Sequence, residues 1–285
     1  MNSYTILTDS GCDVSAETLA EWGVPFCRLS CRGADDADES GIERVELARR
    51  MREGEIFRTS AVNRETYRAA FSEQLSAGND VLYLGVSSGI SGCTSFAASA
   101  AEEEAPRHPG RTIRVLDTRC ASGGLGLLVW LTVCEKRRGA TLAEAAEFAE
   151  RTAPGIAHRF TVDDLTYLRR GGRISAASAF VGGMLGIRPV LHMDGDGRLA
   201  ALSKVRGRRA SIQALADAFL RTAVNPAGGT VFISHFDCPE DAELLAELLH
   251  ASSDAKITRI TELSPVVGAH AGPGTLALFF PASER

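Results

Sequence analysis

Residues 81–92 read VLYLGVSSGISG, and this stretch indicates a parallel sheet. Its first six residues, Val81–Val86, form a continuous apolar run, which is typical of a strand that is buried on both faces. The polar turn Ser87–Gly92 then leads into a predicted helix. Two further short apolar strands, Tyr4–Thr8 and Ile113–Leu116, are separated from it by predicted helices. This alternation of strand and helix predicts a parallel α/β domain.

The second half of the chain has a different pattern. Asp194-Gly195-Asp196-Gly197 lies between two short strands, Pro189–Met193 and Leu199–Leu202, which is a hairpin signal. The other predicted elements are the strands Arg159–Val162, Thr230–Phe236, Ile257–Leu263 and Thr275–Phe280, and the helices Ser211–Ala223 and Pro239–Ala251. We therefore expect two lobes: an N-terminal parallel α/β domain at residues 1–155 and a C-terminal α+β domain at residues 156–285.

Composition excludes several classes of function. The net charge of −5 argues against general nucleic-acid binding, because phosphate binding needs clustered basic charge. The seven cysteines are scattered and odd in number, which argues against a disulfide framework. Cys27 and Cys31 have no nearby histidine, so we predict no zinc site. The first residues have no signal-peptide pattern, and we expect a cytoplasmic protein.

Polar loops follow three of the predicted strands: Thr8-Asp9-Ser10, Ser87–Gly92 and Asp117-Thr118. Ligands of parallel sheets bind beyond the carboxyl ends of the strands, so we expect these loops to meet at one crevice. Serine hydroxyls and the free N–H groups of a helix start favour an anion, and glycine lets backbone approach it closely. The loops therefore predict a site for a small acidic ligand.

The alternatives for the serine turn are an enzyme or a nucleotide site. Ser91 is a candidate nucleophile of an acyl hydrolase or transferase, although the GxSxG elbow is absent. A Rossmann-type nucleotide site is disfavoured, because neither a Walker A loop nor GxGxxG is present.

Four further segments are candidate functional motifs. Thr59-Ser60 lies in a predicted loop between two helices, and His270-Ala271-Gly272-Pro273-Gly274 predicts a tight loop before the last strand. The basic clusters Arg169–Arg173 and Lys204–Arg209 predict either a solvated face or a docking surface for an acidic partner.

In this order and spacing, the motifs resemble those of the DegV family of bacterial fatty-acid-binding proteins, along nearly the whole chain. The matching segments are Thr8-Asp9-Ser10 with Asp13, Thr59-Ser60, Ser87-Ser88-x-Ile90-Ser91-Gly92, Asp117, Phe160–Ile174, Gly186–Leu191, Gly197-x-Leu199, Lys204-x-Arg206-Gly207 and His270-x-Gly272-Pro273-Gly274. The resemblance implies one long-chain fatty acid buried between the two lobes, and no metal or other cofactor.

The resemblance also implies roles for individual residues. Thr59, Ser91 and His270 would hold the carboxylate, with the Gly92 N–H beside them. Ser60, Ser88 and Arg173 would support the site. The family implies no catalysis by this chain itself, since a separate ATP-dependent fatty acid kinase makes the acyl phosphate for phospholipid synthesis. Arg206 falls where that kinase would dock, and transient contact with a membrane is part of the same expectation.

Two departures from the family pattern lie beside the head-group site. Ala61-Val62 follows the Thr59-Ser60 pair where the family usually has a proline at the second position. Cys93-Thr94 follows Gly92 where the family usually has Thr-Tyr. Because both changes lie beside the head-group site, they bear on which chain length or head group the site prefers. The expected carboxylate donors, Thr59, Ser91 and His270, are still present.

Overall fold

The computed structural model describes residues 3–174 and 186–285. Its N-terminal elements are β1 (Tyr4–Asp9), α1 (Ala16–Trp22), β2 (Phe26–Cys27), β3 (Ser30–Arg32), α2 (Arg44–Arg52), β4 (Arg58–Ser60), α3 (Arg64–Ser76), β5 (Asp80–Gly85), α4 (Cys93–Glu104), β6 (Ile113–Asp117), α5 (Ser122–Arg137) and α6 (Leu142–Thr152). None of the described helices is long and apolar enough to cross a membrane.

The C-terminal elements begin at Ile156. They are β7 (Ile156–Thr161), α7 (Thr166–Arg170), β8 (Ile187–Met193), β9 (Leu199–Arg206), α8 (Arg208–Thr222), β10 (Thr230–Phe236), α9 (Pro239–Ser252), β11 (Lys256–Glu262), α10 (Pro265–Ala271) and β12 (Thr275–Pro281).

The first sheet is parallel and has the strand order β2-β1-β5-β6. Every residue of β1 and β5 is buried, and for β5 this confirms the prediction made from its continuous apolar sequence. The second sheet has the order β11-β10-β12-β7-β8-β9 and is mixed, because only the β10–β11 pair is parallel. The predicted fold class, a parallel α/β N-terminal part and an α+β C-terminal part, is therefore confirmed.

Helix α5 lies between the two sheets and packs against strands of both. Three glycines at its start allow this close approach. A Cβ atom on Gly123 would lie 2.7 Å from the Phe279 ring, one on Gly124 would lie 2.1 Å from His158, and one on Gly126 would lie 2.6 Å from Val14. Larger side chains at Gly123 and Gly124 would push the helix away from the second sheet, and one at Gly126 would collide with the segment before α1.

The hairpin turn between β8 and β9 also joins the two parts of the chain. The Ser87 hydroxyl donates to the Gly197 carbonyl at 2.7 Å, and the Arg119 guanidinium donates to the Gly195 carbonyl at 2.9 Å. Gly197 has a φ of +72°, and a Cβ there would lie 2.1 Å from the Ser87 hydroxyl oxygen. The predicted hairpin is confirmed, and its turn rests on the serine turn that follows β5.

Three local predictions are wrong. The sequence of Val24–Leu29 predicts one strand, but the strand covers only Phe26–Cys27, and the chain then starts a separate strand, β3. β3 pairs antiparallel with β4, so Thr59 and Ser60 lie on a short strand and not in a loop. His270 likewise lies in the last turn of α10 and not in a loop, because Ser264 and Pro265 start a helix that the sequence prediction missed.

Candidate functional site

A cavity lies beneath the serine turn and is lined by residues from both parts of the chain. Most of its wall is apolar. The apolar side chains are Leu29, Ala61, Val86, Ile90, Ala121, Phe160, Leu168, Met193, Leu199, Leu263, Val266, Val267, Ala271, Ala277 and Phe279, and the polar ones are Thr59, Ser91, Ser122, His158, Arg173, His270 and Thr275. An apolar wall with a few polar groups is the usual composition of a small-molecule site.

Thr59 and His270 meet at this cavity although 211 positions separate them in the chain. Thr59 Oγ1 and His270 Nε2 are 2.6 Å apart. Helix α10 packs against β3 and β4, and this contact brings the two side chains together. Together with Ser91 and Gly92, which also line the cavity, they form the set that we call the polar end.

Three glycines lie near His270, and one of them, Gly171, leaves the space that the histidine ring occupies. A Cβ atom on Gly171 would lie 2.2 Å from His270 Nδ1. Gly272 and Gly274 have φ values of +85° and +80°, and a Cβ on Gly272 would lie 2.2 Å from the Tyr167 ring. Gly171 therefore leaves room for the His270 ring, whereas Gly272 leaves room for Tyr167 and, with Gly274, allows the turn after α10.

The His270 imidazole is mostly buried, and burial lowers its pKa to about 4, with a further contribution from the Arg173 charge. The ring is therefore neutral at pH 7. A neutral imidazole has one donor and one acceptor nitrogen, so it can donate one hydrogen bond to an anion without carrying a buried charge.

The serine turn brings the start of α4 to the cavity, where Ser91 and Gly92 form part of the wall. The Ser91 N–H donates to the Ser87 carbonyl at 3.1 Å, and the Ser91 hydroxyl oxygen accepts from the Cys93 N–H at 3.3 Å. Gly92 is the N-cap residue of α4 and provides no side-chain cap. The start of α4 therefore presents the positive end of a helix to an anion in the cavity.

Arg173 lies at the edge of the polar end and is half-buried. Its Nε donates to the Ile90 carbonyl at 3.1 Å, and its Nη1 donates to the Gly171 carbonyl. Burial lowers the pKa of this guanidinium. Within residues 3–174 and 186–285, no acidic side chain forms a salt bridge with it.

Two of the residues predicted to support the site, Ser60 and Ser88, do not line the cavity. Ser60 is exposed and pairs with Ser30 across the β3–β4 ribbon. The Ser88 hydroxyl donates to Asp117 Oδ2 at 2.5 Å and its N–H donates to Oδ1 at 3.0 Å, so it joins two loops. Arg206 is exposed at the end of β9.

The first polar loop supports the sheet. The buried Asp9 carboxylate accepts from the Tyr83 hydroxyl at 2.7 Å and from the N–H groups of Val86 and Gly11, each at 2.9 Å. Its acceptor groups are thus used inside the protein. The three loops that we expected to meet at one crevice do contact one another, but only the serine turn contributes residues to the cavity wall.

Ser122 and His158 also line the cavity, and the sequence analysis missed both. His158 Nε2 accepts from the Ala121 N–H at 3.1 Å, so Nδ1 carries the proton and donates to the Ile156 carbonyl at 2.9 Å. Burial lowers its pKa to about 3. The closely spaced glycines at the start of α5 were the available signal, because a glycine run in a helix indicates close contact.

Comparisons with known proteins identify the family to which the sequence is similar. The family model described as "Uncharacterised protein, DegV family" matches residues 3–283. A DegV domain-containing protein of Clostridium perfringens is 35% identical over 284 residues, which is 98% of each chain.

Two similar crystal structures carry a description of their ligand class. One, described as fatty acid binding of a DegV family protein from Thermus thermophilus, has a TM-score of 0.88 and 28% identity and covers 99% of this chain and all of its own. The other, a DegV lipid binding protein from Thermotoga maritima, has a TM-score of 0.84 and 27% identity and covers 99% of both chains. The extent of these matches shows that this chain belongs to the DegV family.

Proposed function

We propose that this protein binds one long-chain fatty acid, with its acyl chain in the cavity and its carboxylate at the polar end. Thr59, Ser91 and His270 would donate hydrogen bonds to the carboxylate, and the Gly92 N–H would lie beside them. The observation that carries the proposal is the placement of this polar end on an otherwise apolar cavity. The fatty-acid and lipid binding described for the Thermus and Thermotoga proteins supports it.

The acyl chain and the carboxylate would contribute to binding in different ways. A palmitate-like chain has about 14 methylene groups, and burial of each contributes ~0.8 kcal/mol, or roughly 11 kcal/mol before costs. Ordering and association offset part of this gain. The neutral donors of the polar end would mainly compensate the desolvation of the carboxylate and fix its direction.

The test is to extract purified protein with a denaturing organic solvent and to analyse the extract by mass spectrometry. We expect fatty acid in near-stoichiometric amount. The double variant Thr59→Val/His270→Ala should retain less of it, whereas Ser60→Ala, one residue from Thr59 but exposed, should retain the wild-type amount. Extracts without lipid, combined with no binding of added oleate, would exclude the proposal.

We further propose that the bound carboxylate is presented in the cytoplasm to a separate ATP-dependent fatty acid kinase, which docks at Arg206. The exposed position of this side chain at the end of β9 supports the proposal. Arg206→Glu should keep its lipid while kinase-dependent formation of acyl phosphate falls. Arg151→Glu makes the same charge change on an exposed position of α6 and serves as the control. Loss of the lipid in Arg206→Glu would refute the docking role.

The hydrolase alternative for Ser91 has no support in the geometry or in the comparisons. The Ser91 hydroxyl oxygen accepts from a backbone N–H, and the His270 imidazole lies against Thr59. We therefore expect no covalent labelling of Ser91 by a fluorophosphonate.

A further inference from the structure

Asp13 is a buried carboxylate that connects the two parts of the chain. Only 5% of the residue is exposed. Its Oδ2 accepts from the Ser122 hydroxyl at 2.5 Å, and its Oδ1 accepts from the Ser264 N–H at 2.8 Å. Burial raises the pKa of this carboxyl to about 6, while the hydrogen bonds from Ser122 and Ser264 oppose the rise.

Ser264 is the N-cap residue of α10, the helix that carries His270. Its hydroxyl oxygen accepts from the Val267 N–H at 3.3 Å, and the helix has only seven residues with no acidic residue in its first turn. Such a short helix is marginal by itself, because nucleation is costly. The Asp13 carboxylate provides the negative charge that stabilises a helix N-terminus. Asp13, which lies outside α10, therefore supplies the negative charge that the first turn of this helix lacks.

The backbone of Asp13 and of its partner Ser122 has an unfavourable conformation. Asp13 and Ser122 both have left-handed backbone, with φ values of +50° and +52°. Residues other than glycine keep such a conformation only where surrounding contacts impose it. The hydrogen bond between their two side chains is one such contact, and Ser122 itself lines the cavity.

Asp9, four positions earlier, is also a buried carboxylate, but it does not connect the N-terminal part of the chain to α10. It is fully buried and has three hydrogen-bond donors, yet all of them belong to the N-terminal part of the chain: Gly11, Tyr83 and Val86. Asp9 therefore stabilises the first sheet, whereas Asp13 also reaches the C-terminal helix α10.

We propose that Asp13 is a positioning residue for His270, which it holds at the polar end through Ser264 and α10. The inference rests on the proposed function and extends it by naming what keeps the donor set assembled. Without this contact, α10 would occupy its docked position for a smaller fraction of the time. The apparent Kd for a ligand rises in inverse proportion to the fraction of protein that is competent to bind.

The experiment compares Asp13→Ala with Asp9→Asn in lipid-free protein. Hydrogen exchange of the amides of 266–271 and the NMR signals of the His270 imidazole report the position of α10 directly, and titration with oleate reports affinity. In Asp13→Ala we expect exchange in α10 to accelerate, the His270 signals to move, and the Kd for oleate to rise about tenfold if the docked fraction falls to a tenth. Asp9→Asn should change global stability without this selective effect.

A second pair of variants keeps the proposal testable if Asp13→Ala does not fold. Ser264 has φ −62° and ψ 158°, which suits proline. Ser264→Pro removes both the N–H and the hydroxyl that interact with Asp13, whereas Ser264→Ala removes the hydroxyl and keeps the N–H. We expect the larger change in His270 signals in Ser264→Pro.

Two results would overturn the positioning role. The first is that hydrogen exchange in α10 and the His270 NMR signals do not change in Asp13→Ala. If that variant does not fold, the corresponding result is that Ser264→Pro and Ser264→Ala have equal effects. The second is an equal effect in Asp9→Asn. If the wild type binds no oleate, the proposed function fails, yet exchange and NMR still decide whether Asp13 positions His270.

Discussion

Substituting Gly171 by alanine should displace His270 and weaken fatty-acid binding. Gly171 has φ −70° and ψ −13°, a conformation that alanine adopts readily, so the backbone itself tolerates the change. However, the new Cβ would lie 2.2 Å from His270 Nδ1, and an ordinary contact needs at least 3.4 Å. The imidazole or the end of α7 must therefore move by about 1.2 Å.

The size of the effect follows from the hydrogen bond that such a shift would break. A hydrogen bond to a charged group contributes about 1.5–3 kcal/mol. Because each 1.4 kcal/mol changes the Kd tenfold, losing the bond between His270 and the ligand carboxylate should raise the Kd for oleate by roughly 10- to 150-fold. Isothermal titration of delipidated protein measures this change.

Gly172 provides the matched control, because it is the adjacent glycine and no atom lies within 4 Å of its Cβ position. Its φ of +70° makes alanine strained there, so Gly172→Ala should lower stability while His270 keeps its place. A Kd for Gly171→Ala within twofold of the wild type would refute the reasoning. An equal loss of affinity in Gly172→Ala would do so as well.

The remaining predictions concern protonation, backbone strain and cavity size. The His270 imidazole should stay neutral until the pH approaches 4, and Arg173→Met should raise its pKa; an NMR titration measures both. Because the folded pKa lies below the ordinary 6.5, stability should fall as the pH drops from 6.5 toward 4, and His270→Gln should remove part of that fall in urea unfolding. Gly272→Ala combines left-handed backbone with a Cβ 2.2 Å from the Tyr167 ring, so it should lower the free energy of unfolding by about 2 kcal/mol or more. Ala277→Phe narrows the apolar cavity and should shift the copurifying lipid to shorter chains in mass spectra.

Local sequence patterns predicted the main elements because their apolar residues report burial directly. The strand Thr230–Phe236 was predicted with its observed bounds. The sequence Thr141-x-x-Glu144 has the pattern of a capping box, and both of its hydrogen bonds are present at the start of α6. Helix α10 was missed, because Pro265–Ala271 is too short for a periodic signal and depends on contacts with residues far away in the chain. The proposed boundary between 155 and 156 stays a prediction.

Sequence motifs identified some residues of the candidate site but not the contacts between them. Thr59 and His270 belong to recognisable motifs, yet their 2.6 Å contact depends on the β3–β4 ribbon, which local sequence did not predict. His158 gave no signal of its own, since it lies in a strand of otherwise ordinary composition. Asp13 was identified only as part of a motif, and its role needs the position of Ser264, 251 residues later.

The central claim is that the cavity binds a fatty acid through its carboxylate at the polar end. The most direct measurement is calorimetric titration of delipidated protein with oleate and, in parallel, with methyl oleate, which has the same acyl chain but no anionic head group. The account predicts one-to-one binding of oleate and, at about 1.5 kcal/mol or more for hydrogen bonds to the charged group, at least tenfold weaker binding of the ester. Equal affinity for the two ligands, or no binding of oleate, would contradict it.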